Sequence, residues 1–123
     1  GIIPGSGGTQ RMPRIIGMGK AKELLFSGDS VSGEEAYRIG LVNKIAPKES
    51  LLDEAKAWAQ KLAAKPRVAM SLLKHAMDHG MDMDLSSALT FETDCFVQTY
   101  VSEDGREGFQ AFIEKRKPAF TGK

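Results

Sequence analysis

Four residues near the start of the chain, Gly5-Ser6-Gly7-Gly8, could bind a ligand through their backbone. Three glycines in four positions let the main chain pass close to a bound molecule, with N–H groups free to donate hydrogen bonds. A helix N-terminus after the turn would favour negative charge there. A tight strand-to-helix turn without a ligand explains the same residues equally well. The turn lacks the residues of a P-loop and of a Gly-x-Gly-x-x-Gly dinucleotide site.

A second candidate is the group of cations that surrounds Phe112 near the other end of the chain. They are Arg106, Lys115, Arg116 and Lys117. Because a helix C-terminus favours cations, the residues alone indicate a solvated helix face. A nucleic-acid-binding helix is the alternative from another class of function. The near-zero net charge and the lack of aromatic residues along a basic stripe argue against it.

Other side chains with reactive chemistry have simpler explanations. His75 and His79 have the i, i+4 spacing of a helical metal chelate, but no third ligand is evident, so we predict no metal site. Cys95 has no histidine pattern near it and is predicted to be a small buried side chain. No pair stands out among the glutamates as catalytic; these are Glu34, Glu35, Glu92, Glu103, Glu107 and Glu114.

The first half of the chain is predicted to be mixed in structure. Thr9 is the expected N-cap of a short helix with Pro13 early in it, and Gly17 and Gly19 end it. The further elements are a helix over 20–26, a helix opened by Ser32 and Glu35 with capping-box spacing and ended by Gly40, and a short strand over 41–46.

The second half is predicted to be helical. Apolar residues recur at helical spacing in four segments, which are 51–64, 66–79, 84–99 with Asp84 as its cap, and 106–117 ended by Pro118. The helices between Pro66 and Thr99 have broad apolar faces, so we expect them to pack on each other and on further protein.

Composition gives a globular chain without an obvious charged partner. It has 123 residues with 41% apolar and 27% charged side chains, a formal charge of +1 and one cysteine. No apolar run approaches the ~20 residues that span a bilayer. The chain opens on Gly1-Ile2-Ile3-Pro4-Gly5, which resembles the end of a strand. We therefore expect a segment of a longer protein, with an exposed apolar surface.

Several stretches together resemble the enoyl-CoA hydratase (crotonase) family, in the family's order and over nearly the whole chain. They are Gly1 to Arg11, Ser27-Gly28-Asp29, Glu35-Ala36, Gly40-Leu41-Val42-Asn43, Glu107-Gly108, Ala111-Phe112 and Glu114 to Pro118. The resemblance implies an α/β parent with a spiral of ββα turns. Residues 1–50 would be the end of that spiral, and residues 51–123 a mostly α C-terminal trimerisation region.

By the same resemblance, the parent adds water to 2-trans-enoyl-CoA to give 3-hydroxyacyl-CoA, without metal or redox cofactor. Two glutamates would do the proton chemistry upstream of Gly1, so the segment alone is expected to be inactive. The Gly5 N–H would help to hold the catalytic water. Phe112 and Lys115 would contact the adenine and 3′-phosphate of coenzyme A bound to a neighbouring subunit.

Alternatives remain open at this point. The parent could hydrate methylglutaconyl-CoA or isomerise enoyl-CoA, and the segment could be a non-catalytic module for oligomerisation and coenzyme A contact. The partners implied are an acyl-CoA thioester and further copies in a trimer or a dimer of trimers, with no nucleic acid and no membrane. The expected location is cytoplasmic, or the mitochondrial matrix if the parent is eukaryotic.

Overall fold

The computed structural model describes all 123 residues, and its regular structure is entirely helical. The helices are α1 Gly8–Ile16, α2 Met18–Ser27, α3 Gly33–Arg38, α4 Leu51–Ala63, α5 Arg67–Gly80, α6 Leu85–Val101 and α7 Glu103–Ile113. The prediction of a mostly helical segment is confirmed. The chain divides into two compact units, residues 1–51 and 52–123. Their interpretation as spiral end and trimerisation region stays a prediction.

Helices α1 and α2 pack against each other in the first unit. Gly7, not Thr9, is the N-cap of α1, because the Gly7 carbonyl accepts the N–H groups of Gln10 and Arg11 at 3.1 and 2.8 Å. Pro13 lies in the middle of α1 rather than early, where its missing N–H removes one helical bond. Gly17 ends α1 as predicted, whereas Gly19 lies inside α2.

Helix α3 has both of its predicted ends. The Ser32 hydroxyl accepts the Glu35 N–H at 3.1 Å. Gly40 has a φ of 78°, and the N–H groups of Gly40 and Leu41 bond to the carbonyls of Tyr37 and Ala36 at 3.1 and 2.8 Å. This is the Schellman arrangement, which satisfies the last carbonyls of a helix.

The predicted strand over 41–46 is wrong. The N–H groups of Leu41 and Val42 both point back to the Ala36 carbonyl, at 2.8 and 3.3 Å, so they are not free to pair with another strand. No second extended segment lies beside them, and a strand needs a partner to satisfy its backbone. The Ile45 side chain instead lies beside α3, 3.7 Å from where a Cβ on Gly33 would be.

Helices α5, α6 and α7 pack in sequence in the second unit. The Asp84 carboxylate accepts the Ser87 N–H at 3.1 Å and so caps α6, as predicted. The imidazole of His75 stacks edge-on against Phe91 at 5.3 Å between ring centres, which helps to join α5 to α6. Cys95 is buried in α6 with 4% of its surface exposed, which confirms its prediction as a small buried residue.

The bounds predicted for the last helix are wrong at both ends. Helix α7 begins at Glu103 because the Ser102 hydroxyl accepts the Gly105 N–H at 3.0 Å. The chain turns so tightly from α6 that a Cβ on Gly105 would lie 2.0 Å from the Thr99 carbonyl oxygen. The helix ends at Ile113, well before Pro118.

Most large apolar side chains remain on the surface, as the sequence leads us to expect. Only small apolar residues are buried, and these are Ala21, Ala36, Cys95 and Ala111. Ile2 and Phe26 are 97% and 83% exposed. In α4, Trp58 and Leu62 of the predicted apolar stripe are also exposed. No helix here combines the length and the apolar character that crossing a membrane requires.

Candidate functional site

The glycine turn is held in one conformation by its own backbone. Gly8 donates to the Gly5 carbonyl at 3.0 Å, and the two residues between them, Ser6 and Gly7, have φ angles of 51° and 78°. Two successive positive φ angles are those of a type I′ turn. A turn of this kind exposes the backbone that leads into it.

The Arg11 side chain packs against one side of the turn and stabilises it. Its guanidinium donates to the Ser6 carbonyl, and a Cβ on Gly7 would lie 2.8 Å from the Arg11 Nε. Gly7 is therefore required twice, for its positive φ and for the space that Arg11 fills. The Gly5 N–H is exposed and makes no hydrogen bond within the chain, so it is available as a donor to a bound molecule.

Phe112 and Lys115 lie at the end of α7, but Lys115 is outside the helix. The Phe112 ring is 83% exposed. The N–H groups of Lys115 and Arg116 bond to the carbonyls of Phe112 and Ala111 at 3.2 and 3.0 Å, the same helix ending that Gly40 makes in α3. Lys115 takes the glycine position with a φ of 53°, and its ammonium has no partner in the chain.

Glu107 holds the segment beyond α7 against the helix. It accepts two hydrogen bonds from the Arg116 guanidinium, at 2.6 and 2.8 Å, and one from the Ala119 N–H at 2.7 Å. The Arg116 bonds, and then the Ala119 N–H, lower the Glu107 pKa to about 2. Arg116 also donates to Glu114 at 2.5 Å. Arg116 is thus ion-paired on an exposed face.

Asp104 holds the same segment one helical turn earlier. Its carboxylate is 98% buried, and it accepts the N–H groups of Thr121 and Gly122 at 2.6 and 2.8 Å. Its own N–H donates to the Lys123 carbonyl at 3.0 Å. Residues 116–123 form a strap that two carboxylates fasten along α7. Sequence reasoning missed both, because their partners lie 9 to 18 residues away.

An aromatic groove of about 450 Å³ lies between α6, α7 and the strap. Phe96, Tyr100, Phe109, Phe112 and Phe120 line it. The rings of Tyr100 and Phe109 meet edge-on at 5.0 Å. Phe112 is therefore at the rim of an apolar surface rather than isolated among cations. A second apolar groove, of about 560 Å³, lies between α5 and α6.

The two histidines lie next to each other on α5. His75 and His79 stack edge-on at 4.3 Å between ring centres, and no group of three His, Cys, Asp or Glu side chains converges on one point. Asp78 is paired with Lys74, and this contact lowers its pKa.

The carboxylates with lowered pKa values accept hydrogen bonds from groups within the chain. Arg38 lowers the Glu35 pKa, and Ser87 lowers the Asp84 pKa. The Glu114 pKa is lowered by Gln110 and then by Arg116. The hydrogen bonds that lower these pKa values hold helix ends and the strap.

Comparison with known proteins shows which family this chain is similar to. The family model described as Enoyl-CoA hydratase/isomerase matches residues 1–123. The chain is 46% identical over its full length to the crotonyl-CoA hydratase of Syntrophomonas wolfei, and 45% identical over 95% of its length to the short-chain-enoyl-CoA hydratase of Clostridium acetobutylicum. It covers 47% and 45% of those two proteins.

Solved structures of enoyl-CoA hydratases are also similar to this chain. An enoyl-CoA hydratase from Bacillus anthracis matches 99% of this chain with a TM-score of 0.93 at 42% identity, over 47% of its own length. One from Geobacillus kaustophilus matches 99% with a TM-score of 0.95 at 41% identity, over 48% of its length. The chain thus spans about half the length of the relatives it matches. With a helical fold that superposes on these enzymes and a family match from its first residue to its last, the chain belongs to the enoyl-CoA hydratase/isomerase family.

Proposed function

We propose that this chain supplies the coenzyme A-contacting and oligomerising half of an enoyl-CoA hydratase, which adds water to 2-trans-enoyl-CoA to give 3-hydroxyacyl-CoA. The observation that carries the proposal is the similarity, along nearly the whole chain, to proteins described as crotonyl-CoA and short-chain-enoyl-CoA hydratases. The Bacillus subtilis relative at 42% identity is described more broadly as a hydratase/isomerase.

The chemistry divides between two parts of such an enzyme. Hydration needs a positioned carboxylate to move protons and preorganised N–H donors to stabilise the enolate-like oxygen. The Glu35 and Glu107 carboxylates are engaged by Arg38 and Arg116, and the family resemblance supports placing the catalytic glutamates outside residues 1–123. The unpaired Gly5 N–H supports a role for this turn in holding the attacking water.

Lys115 and Phe112 form the proposed contact with coenzyme A. A flat exposed ring suits contact with adenine, and an unpaired ammonium suits a phosphate as a point charge. In an enzyme assembled with its catalytic half, Lys115→Ala should raise KM for acyl-CoA about threefold with kcat little changed, as for loss of one exposed charge pair. Steady-state kinetics with crotonyl-CoA would measure this, and an unchanged KM would contradict the assignment.

Complementation tests the function as a whole. Residues 1–123 alone are expected to hydrate no crotonyl-CoA. Mixed with the half of the Syntrophomonas wolfei crotonyl-CoA hydratase that this chain does not match, they should form a complex that consumes the enoyl thioester. A soluble complex without hydration, or hydration by residues 1–123 alone, would contradict the proposal. Assay with a 3-enoyl-CoA in parallel separates the isomerase alternative, which the relative named enoyl-CoA isomerase/hydratase from Mycosarcoma maydis keeps open.

A non-catalytic oligomerisation and coenzyme A-contact module is the second candidate. The exposed apolar side chains of α4, α5 and α6 favour it, because surfaces of this kind are covered in assemblies. We propose a trimer, or a dimer of trimers, as the assembly. Light scattering coupled to gel filtration would measure the mass; a monomer at all concentrations would contradict self-association. Binding of coenzyme A by an assembly that stays inactive after complementation would favour this candidate over the hydratase.

A further inference from the structure

The backbone at Lys115 is in a conformation that an ordinary side chain adopts only at a cost. Its φ of 53° lies in the left-handed region. There a Cβ crowds the following carbonyl, and non-glycine residues are strained. Residues held this way persist when the surrounding structure over-determines them, and they concentrate at functional positions. Gly40, which ends α3 by the same hydrogen bonds, shows the residue that this position ordinarily takes.

Two backbone hydrogen bonds end the helix at Lys115, and side-chain contacts of its neighbours in sequence add to them. Glu114, immediately before it, accepts from the Arg116 Nε at 2.5 Å. Arg116, immediately after it, makes its two-pronged contact with Glu107. A fork of two parallel hydrogen bonds fixes direction as well as distance. The Ala119 N–H, on the same carboxylate, keeps the strap from lifting away.

From this geometry we propose that Glu107 is a positioning residue for the coenzyme A contact: through Arg116 and the strap it fixes the left-handed turn that presents the Lys115 ammonium. The inference rests on the proposed function, since it concerns the ligand proposed for Lys115. Glu107 would act through Arg116 and not by contact with the ligand. Its carboxylate stays ionised over the physiological pH range because its pKa is about 2.

The proposal can be tested because a purely electrostatic effect of Glu107 on phosphate binding would have the opposite sign to a positioning effect. Removing a carboxylate near Lys115 makes the surroundings more positive and should tighten binding of a phosphate. If Glu107 positions Lys115, its removal should weaken that binding. Glu103→Gln is the matched control, because Glu103 lies in the first turn of the same helix, has no ion pair with Arg116, and its loss changes the net charge equally.

The experiment is a nuclear magnetic resonance titration of the isotopically labelled chain, assembled with the unlabelled catalytic half used for complementation, with coenzyme A and 3′-dephospho-coenzyme A as probes. The wild type should prefer coenzyme A about threefold, as for one exposed charge pair. Glu107→Gln should abolish that preference. It should also lose the strong amide–Hα Overhauser signal that marks a positive φ at Lys115, while signals from α6 stay in place. Glu103→Gln should change neither. Arg116→Lys, which keeps the charge but loses the fork, should repeat the effect of Glu107→Gln if the latter variant does not fold.

The outcomes separate the two proposals. A wild type without preference for the 3′-phosphate would overturn the coenzyme A contact, and the positioning role with it. A preference retained in both Glu107→Gln and Arg116→Lys would overturn the positioning role alone. Loss of the preference with the left-handed signal unchanged would also overturn it, because the effect would not then pass through the backbone of Lys115.

Discussion

The tight junction between α6 and α7 gives a sharp test of the packing. In Gly105→Ala the new Cβ would lie 2.0 Å from the Thr99 carbonyl oxygen and 3.1 Å from the Ser102 Oγ. The first of these is backbone, so it cannot rotate away. The helices must separate by roughly 1.4 Å to restore ordinary contact, and the Ser102 hydroxyl must shift by a few tenths of an ångström from its capping position.

The expected cost follows from two opposing effects. Overpacking of this kind typically costs ~1–3 kcal/mol, and the better helix propensity of alanine offsets roughly 0.5–1 kcal/mol of it. The net loss in the free energy of unfolding is therefore about 1–2 kcal/mol. For a chain of this size the melting temperature should fall by roughly 4–8 °C.

Gly108→Ala is the matched control on the same helix. Its Cβ would meet only the Phe120 ring, at an ordinary contact distance of 3.7 Å. The variant should therefore gain about 0.5 kcal/mol from helix propensity. Thermal unfolding of both variants, followed by far-ultraviolet circular dichroism, measures the difference. A Gly105→Ala protein as stable as Gly108→Ala would refute the close approach of α6 and α7.

Two further perturbations test the strap and the glycine turn. Because the Glu107 pKa is lowered from 4.5 to about 2, its contribution to stability is fully present above pH 4.5 and is lost as the pH falls toward 2. The protection factor of the Ala119 amide, which is its exchange rate relative to the intrinsic rate at each pH, should fall across that window, and a constant protection factor would contradict the contact. At the turn, Gly7→Ala should destabilise the first unit by roughly 1–2 kcal/mol, since it forces a side chain into a positive φ beside Arg11. Gly5→Ala meets nothing within 4 Å and should be neutral, so equal melting temperatures for the two variants would contradict this account.

The sequence predicts the elements whose signals are local. Helices α2, α4 and α5 lie within two residues of their predicted bounds, and Ser32 and Asp84 cap their helices as predicted. These features depend on neighbours three or four residues away, which periodicity and capping rules describe. Cys95 is buried for the same reason, since it faces α5 from within a long apolar helix.

The features that were missed depend on distant partners. Residues 41–46 have strand-like composition, but the N–H groups of Leu41 and Val42 bond to the Ala36 carbonyl of α3. Helix α7 ends early because Lys115 adopts the left-handed conformation, for which lysine carries no signal. Asp104 and Glu107 resemble ordinary helix-surface acids until the strap folds back on them. Gly5, Phe112 and Lys115 were named through family resemblance, and their roles stay predictions.

The reactivity of Cys95 can report how readily helices α5 and α6 separate in the second unit. It is the only cysteine of the chain, and only 4% of its surface is exposed between α5 and α6. A thiol reagent too bulky to enter the groove that Cys95 lines can therefore reach the thiol only when these helices part. When reclosing outpaces modification, the labelling rate reports the free energy of that local opening, which can be smaller than the free energy of global unfolding. Any partner that covers the α5–α6 surface would slow the modification of Cys95. The rate of this one reaction can therefore report both local opening of the helices and the binding of a partner.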